Sequence, residues 1–290
     1  MRKVKTAVFP VGGLGTRFLP ATKSMPKEML PIANKPIIQY AFEEAIAAGI
    51  EKFVFVTGRN KNSINNHFDH AYELESKLDE KKKSKELNSV TGWLPEAGNL
   101  AFVRQQSPLG LGHAIWCARN FISKDEAFVV ILADEMMMQS KDRDKNFLKT
   151  MIDLYEEKEE LSSVVAVDEV NEQDTNKYGI IGANGIKITD MVEKPDPKDA
   201  PSNLAITGRY ILQPEIFDYL STFEVGSGGE IQLTDAMRNM CKDHPFYYKK
   251  LDEERFDCGN VLGYLDANIA FALNDEKISD DVKLLLKKYQ

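Results

Sequence analysis

Apolar and polar positions follow one another along this chain in two distinct rhythms. Short, nearly unbroken apolar runs stand at 4–10 (VKTAVFP), 52–57 (KFVFVT), 100–104 (LAFVR) and 127–133 (AFVVILA). That is the pattern of strands covered on both faces. Between them, apolar positions recur at helical spacing over 36–49, 62–87 and 112–122. Pro36 suits a first helical turn and Gly49 a helix C-terminus. This β-α-β alternation predicts an α/β fold, a Rossmann-like doubly wound sheet that binds ligands at the carboxyl ends of its parallel strands.

The second half is less regular. Strands are expected at 162–168, 179–182, 185–192 and 204–212, with Asn184-Gly185 as a hairpin turn. Helices are expected near 147–160, 214–221, 231–243, 260–274 and 277–289. The sheet should therefore be mixed, with a small antiparallel subregion here. No internal repeat and no Gly/Ser/Pro-rich linker interrupts the chain, so one domain over 1–290 is expected. Its parts would be 1–140, 160–260 and the helical 260–290. The charge-rich stretch 71–87 (AYELESKLDEKKKSKEL) reads as a solvated helical insertion, with a subunit contact as the alternative.

Composition narrows the class. A chain of 290 residues, 43% of them apolar and 28% charged, can bury a large core and is ordinary for a soluble protein. No apolar run is long enough to span a bilayer, and the N-terminal residues lead straight into a strand. Neither a membrane helix nor a signal peptide is expected, and the protein is placed in the cytoplasm. The cysteines Cys117, Cys241 and Cys258 are odd in number and far apart, which argues against a disulfide framework or a zinc site. A net charge of −8 disfavours nucleic acid and membrane surfaces as partners. Against that background, residues 1–35 carry seven basic side chains (Arg2, Lys3, Lys5, Arg17, Lys23, Lys27, Lys35) and one acid, Glu28. Arg2, Lys3 and Lys5 are expected to face solvent. The rest point to an anionic small molecule.

Those charges lie in PVGGLGTRFLPATKSMPKEMLP, residues 10–31. The glycines Gly12, Gly13 and Gly15 follow a strand, as in phosphate-binding turns, but neither G-x-G-x-x-G nor G-x-x-x-x-G-K-[ST] fits. Both of those motifs run into a helix, and Pro20, Pro26 and Pro31 forbid one here. A stiff, extended loop is expected, with glycine backbone approaching a nucleotide and Arg17, Lys23 and Lys27 set around its phosphates. Glu28 is out of place among phosphates and suits an acceptor for a base or ribose donor.

The string G-G-x-G-T-R-x-x-P-x-T-x-x-x-P-K-E-x-x-P resembles the signature of the sugar-1-phosphate nucleotidyltransferases. RQQSPLGLGHAI (104–115), ADE (133–135), VEKP (192–195), GRYIL (208–212), GGEIQLTDA (228–236) and FDCGNVLGYLDAN (256–268) match in order, so the resemblance covers almost the whole chain. The form PLGLGHA and the insertion HFDHAYELESKL are similar to the branch that uses UTP and glucose 1-phosphate, with the dTTP-using branch and a non-catalytic nucleotide-sugar sensor as alternatives. The resemblance implies a nucleotide-diphospho-sugar transferase fold, with 160–260 on the sugar side. It also implies attack by the sugar phosphate on the α-phosphorus of the nucleotide, Mg²⁺, and a homo-oligomer, dimer or tetramer.

Carried onto this sequence, it gives Gly12 and Gly13 backbone contacts to base and ribose. Glu28, Gln105 and Gly110 complete base recognition, Gln105 as both donor and acceptor. Arg17 and Lys27 would act on the phosphates at the reacting centre, and Asp134 and Asp257 would bind Mg²⁺. Gly179, Glu193, Lys194 and Gly208 would form the sugar-phosphate side. Taken by itself, Asp134 could equally cap a turn, and Glu193–Lys194 could be a surface pair. His113 reads as structural, and Thr234 and Asp235 as organisers of a helix N-terminus. Three departures stand out: Gly12 stands where the family often has Ala, a harmless change for a backbone contact, Glu135 occupies the place of a second aspartate, and Val261 that of a lysine common among relatives.

Overall fold

The computed structural model describes residues 3–158 and 160–289. Four parallel strands form its first half: β1 (Thr6–Val11), β4 (Lys52–Thr57), β5 (Leu100–Arg104) and β6 (Phe128–Ile131). Two short pairs flank them, β2 (Pro31–Ile32) with β3 (Lys35–Pro36), and β7 (Glu135–Met138) with a late strand, β13 (Glu254–Asp257). The second half adds β8 (Ser163–Glu169), β9 (Gly179–Asn184), β10 (Lys187–Glu193), β11 (Leu204–Leu212) and β12 (Phe246–Lys250). One nine-stranded sheet results, in the order β5-β4-β1-β6-β11-β8-β12-β10-β9. β11 runs antiparallel to both β6 and β8, which makes the sheet mixed as expected.

The strands read as unbroken apolar runs because both faces are covered. Phe9, Phe55, Val129 and Ile131 pack on one side, under α1 (Ile37–Ala47) and, further along the chain, α6 (Phe147–Glu157). Their neighbours Val8, Val54, Val56 and Val130 pack on the other, under α5 (Leu111–Cys117), α7 (Ile216–Leu220) and α8 (Leu233–Met240). A third cluster holds the basic loop in place. Phe18, Leu30 and Ile32 are buried against Met136, Phe256, Cys258 and Ala267, the last of these on α9 (Val261–Asn274).

Several expectations are corrected. The helical stretch 62–87 is broken into α2 (Asn62–His67), α3 (Tyr72–Glu80) and α4 (Ser84–Thr91), and α3 and α4 bury none of their residues. The loop at 12–31 contains no regular helix, but it is not simply extended. Three single 3₁₀ turns, at 16–18, 21–23 and 27–29, fold it between the prolines. β7, β12 and β13 have no counterpart in the expected elements. The last helix is shorter than expected, α10 (Ser279–Leu286). Lys3 is exposed, Lys5 pairs with Glu51 at 2.9 Å, and Arg2 lies outside the described residues. Among the described residues, no helix is long and apolar enough to cross a membrane.

Candidate active site

At the carboxyl ends of β1, β4 and β5 the chain leaves the sheet through Gly12, Gly58 and Gln105. These three ends crowd together. A Cβ on Gly12 would lie 2.8 Å from Gln105 Oε1, and one on Gly58 would lie 2.7 Å from the Gly12 carbonyl oxygen. At Gly58 the obstructing atom is backbone and only glycine permits the approach, whereas at Gly12 it is the end of the Gln105 side chain. The cleft beside them has a volume of about 300 Å³, with Leu14, Arg59, Ser107 and Pro108 on its rim.

Gln105 is buried and tightly oriented. Its Nε2 donates to the Gly110 carbonyl and to His113 Nδ1, both at 3.1 Å. Both amide hydrogens are thus committed within the protein, and Oε1 is the group left facing Gly12. His113 is structural as expected, because burial and the nearby Arg119 keep its ring pKa low and Nδ1 free to accept. Gly110 sits at φ +108° where α5 begins, and a Cβ there would strike Ile231 backbone.

Glu28 has a different partner from the one expected. Its carboxylate is sealed beneath the loop, 2% exposed, with Oε2 accepting from Lys61 Nζ at 2.7 Å. Burial pushes its pKa up, although Lys61 and Lys27 oppose the shift. It supports the loop from below and does not line the cleft. Gly13 is exposed above Lys27, whose Cε would lie 3.8 Å from a Cβ there.

The reacting centre is assembled around Gly259, at the start of the turn after β13. A Cβ on Gly259 would lie 2.8 Å from Asp257 Oδ1, 3.2 Å from Asp134 Oδ2 and 3.6 Å from Arg17 Nη1. Lys27 Nζ donates to Asp134 Oδ2 at 2.5 Å, and Arg17 Nη1 reaches the Gly259 carbonyl at 3.5 Å. Lys23 is exposed. Burial disfavours charge on Asp134, but Lys27 outweighs it and holds the carboxyl below its ordinary range. Burial works against the Lys27 charge too, and Asp134 and Glu28 raise its pKa overall. Two carboxylates face one cradle that a glycine leaves open, an all-oxygen donor set suited to a hard divalent cation completed by phosphate oxygens. Among the described residues, no group of three or more His, Cys, Asp or Glu forms a closed metal site.

Glu135 is not part of that donor set. It pairs with Arg255 at 2.9 Å, and Arg255 also reaches Asp168 at 3.4 Å. On the sugar side, Glu193 stands opposite Gly179 in the β9–β10 ladder. Its Oε2 accepts from Thr234 Oγ1 at 2.7 Å, and Oε1 lies 2.9 Å from Lys194 Nζ. A Cβ on Gly179 would sit 3.0 Å from Thr234 Oγ1 and 3.2 Å from Glu193 Oε2. The Thr234 hydroxyl thus orients Glu193; Thr234 and Asp235 both lie in the first turn of α8, and neither side chain caps it. Gly208 is buried, and a Cβ on it would lie 2.7 Å from Leu132 Cβ.

Gly58, Lys61, Gly259, Glu44 and Arg209 were missed. Arg209 left a readable signal, a charge inside the apolar run LAITGRYIL, which needs a buried partner. Lys61 left none.

A family model described as nucleotidyl transferase matches residues 6–273. The chain belongs to the nucleotidyl transferase family. This nucleotidyl transferase is 46% identical to the UTP–glucose-1-phosphate uridylyltransferase of Bacillus subtilis (strain 168), over 97% of this chain and 96% of that one. A UTP-bound UGPase from Acinetobacter baumannii superposes with a TM-score of 0.91 at 37% identity, covering 99% of this chain and 100% of the other. A UDP-glucose pyrophosphorylase complexed with UDP-glucose gives 0.84 at 43%, covering 94% and 100%.

Proposed function

We propose that this nucleotidyl transferase moves UMP from UTP to glucose 1-phosphate, forming UDP-glucose and pyrophosphate. The observation that carries the reading is the cradle at Gly259. There Arg17, Lys27 and two carboxylates meet at the carboxyl end of the parallel strands, between the Gln105 cleft and the Glu193 side. Near-full-length likeness to proteins named for this reaction, one of them UTP-bound and one complexed with UDP-glucose, supports the same substrates.

The nucleophile is a phosphate oxygen of the sugar phosphate, already anionic, so no protein base is required. It attacks the α-phosphorus of UTP as the bond to the pyrophosphate oxygen breaks. The protein supplies position and charge. Gln105 Oε1 accepts from the base, and the Gly12 and Gly13 backbone lies along the nucleoside. Lys27 and Arg17 neutralise phosphate oxygens. Glu193, oriented by Thr234, accepts from glucose hydroxyls, and Lys194 holds the sugar phosphate. Asp134 and Asp257 are the residues that would hold Mg²⁺, which when bound supplies further charge neutralisation at the phosphates.

A pyrophosphate-release screen across nucleoside triphosphates and sugar 1-phosphates tests this. The expected outcome is release with UTP plus glucose 1-phosphate above other pairs. One methyl separates uracil from thymine, worth about 1–3 kcal/mol in a pocket, so kcat/KM for UTP and dTTP must be compared directly. A preference for dTTP overturns the uridylyl assignment, and no release with any pair favours a sensor.

A further inference from the structure

Beneath the turn that carries Asp134 lies a charged pair that takes no part in the chemistry above. Arg209 is 1% exposed. Its guanidinium is gripped by Glu44 of α1, with Nε 3.0 Å from Oε1 and Nη2 2.7 Å from Oε2. The remaining donors go to backbone. Nη1 donates to the Leu132 carbonyl at 3.0 Å and to the Gly208 carbonyl at 3.2 Å, and Nη2 to the Glu135 carbonyl at 2.9 Å. The Leu132 and Glu135 carbonyls bracket Ala133 and Asp134. From the other side, the Cys258 amide donates to the carbonyl of Asp134 itself at 2.8 Å.

A buried ion pair is a poor way to gain stability, since apolar residues of the same volume commonly do as well. Its shape supplies what they cannot. A guanidinium has five donors in a rigid fork, enough to hold one carboxylate and three carbonyls at fixed separation. A lysine has its donors on one atom and could not span them. Glu44 is anchored in turn, because its own carbonyl accepts from Asn146 Nδ2 at 2.8 Å. Its helix follows directly from the basic loop that bears Lys27. One fork therefore ties the loop's helix, β11 and the Asp134 turn together.

We propose that Arg209, held by Glu44, is a positioning residue for the transfer reaction: it fixes the Asp134 turn so that its carboxylate faces the Gly259 cradle. The inference rests on the function proposed above. Its test pairs the kinetics of Arg209→Lys and Glu44→Gln with amide hydrogen exchange on the ligand-free, full-length protein.

For Arg209→Lys, kcat should fall about 10–100-fold, with KM for UTP changed by no more than about threefold. Exchange should accelerate at residues 132–135 and at the Cys258 amide, while amides in β1 and β4 keep wild-type protection. Glu44→Gln should move the same readouts in the same direction by less. If Arg209→Lys does not fold, Glu44→Gln carries the test alone. A variant that melts at lower temperature yet keeps wild-type kcat overturns the proposal, as does one whose exchange rises uniformly across the sheet. If the wild-type protein releases no pyrophosphate, the functional assignment falls, and the exchange pattern still decides whether Arg209 holds the turn.

Discussion

The two sides of the proposed site are built by different means. On the nucleotide side the proposed working surface is backbone. Gly58 lies so close to the Gly12 carbonyl that it does not tolerate a Cβ, and a single amide, Gln105, offers its oxygen to the cleft. On the sugar side the surface is made of side chains in a relay, Thr234 to Glu193 to Lys194. The first depends on shape and should fail through crowding. The second depends on polar satisfaction and should fail when a partner is removed. Between them the Gly259 cradle belongs to both, so damage there should not discriminate between substrates.

That seam gives the largest expected effect. Replacing Lys27 by Ala removes a preorganised cation at the reacting phosphates, and kcat should drop by about 10²–10³ with either substrate varied. Steady-state pyrophosphate release measures it. A near-normal kcat would mean that the Asp134 contact at 2.5 Å is structural only.

Next in size is a test of crowding. Gly58→Ala would press a methyl to 2.7 Å from the Gly12 carbonyl, a backbone atom that cannot swing away. Overpacking of this kind costs about 1–3 kcal/mol of folding stability, and displacing the Gly12 backbone beside the cleft should raise KM for UTP about 10–100-fold. KM for glucose 1-phosphate should stay at its wild-type value. If both Michaelis constants rise together, the two sides are not independent.

Thr234→Val probes the other side and keeps the side-chain volume. Glu193 Oε2 loses its hydroxyl donor, and KM for glucose 1-phosphate should rise about tenfold, a hydrogen bond to a charged group. KM for UTP should not move. Substrate-saturation curves for each substrate in turn separate the two outcomes.

The two sides also differ in how far the sequence discloses them. The parallel strands announce themselves as unbroken apolar runs, because each is buried on both faces, and the loop's prolines exclude a helix from local chemistry alone. Arg17, Lys27, Asp134 and Asp257 come together as the family resemblance implies, although their spacing along the chain does not reveal it. β12 (FYYKK) and β13 (ERFD) escape notice because two of the five residues of the first and three of the four of the second are charged. Only tertiary pairing, β12 beside β8 and β13 beside β7, makes them strands. The 62–87 region fails for the opposite reason. Its helical propensity is real, but no packed face holds one axis across Asp69–His70 and Lys82–Lys83, so the helix breaks. Glu28 misleads because its partner, Lys61, lies thirty-three residues away and the pair is sealed.

The smallest predicted effect concerns Glu253, where the halves meet. Burial pushes its carboxyl up to about 7, with Glu44 and Asp252 adding to the shift and Arg143 and the Phe147 amide opposing it. Its Oε1 has no hydrogen-bond partner, as suits a protonated acid. Between the ordinary glutamate range and about 7, the folded protein keeps a proton that the unfolded chain has released. Stability from this site is therefore full at low pH and declines as pH rises through that window. Glu253→Gln is neutral at every pH and escapes the decline. Its Tm should match wild type at pH 5 and exceed it by a few degrees at pH 8, about the shift expected for one kcal/mol in a chain of this size. Thermal melts at both values decide it, and parallel pH profiles for the two proteins would show that Glu253 is already charged at the seam. Because Glu44 is one of the groups facing Glu253, the same melts should shift again in Glu44→Gln. The wild-type decline becomes shallower there, since one of the two carboxylates opposing Glu253 ionisation is gone.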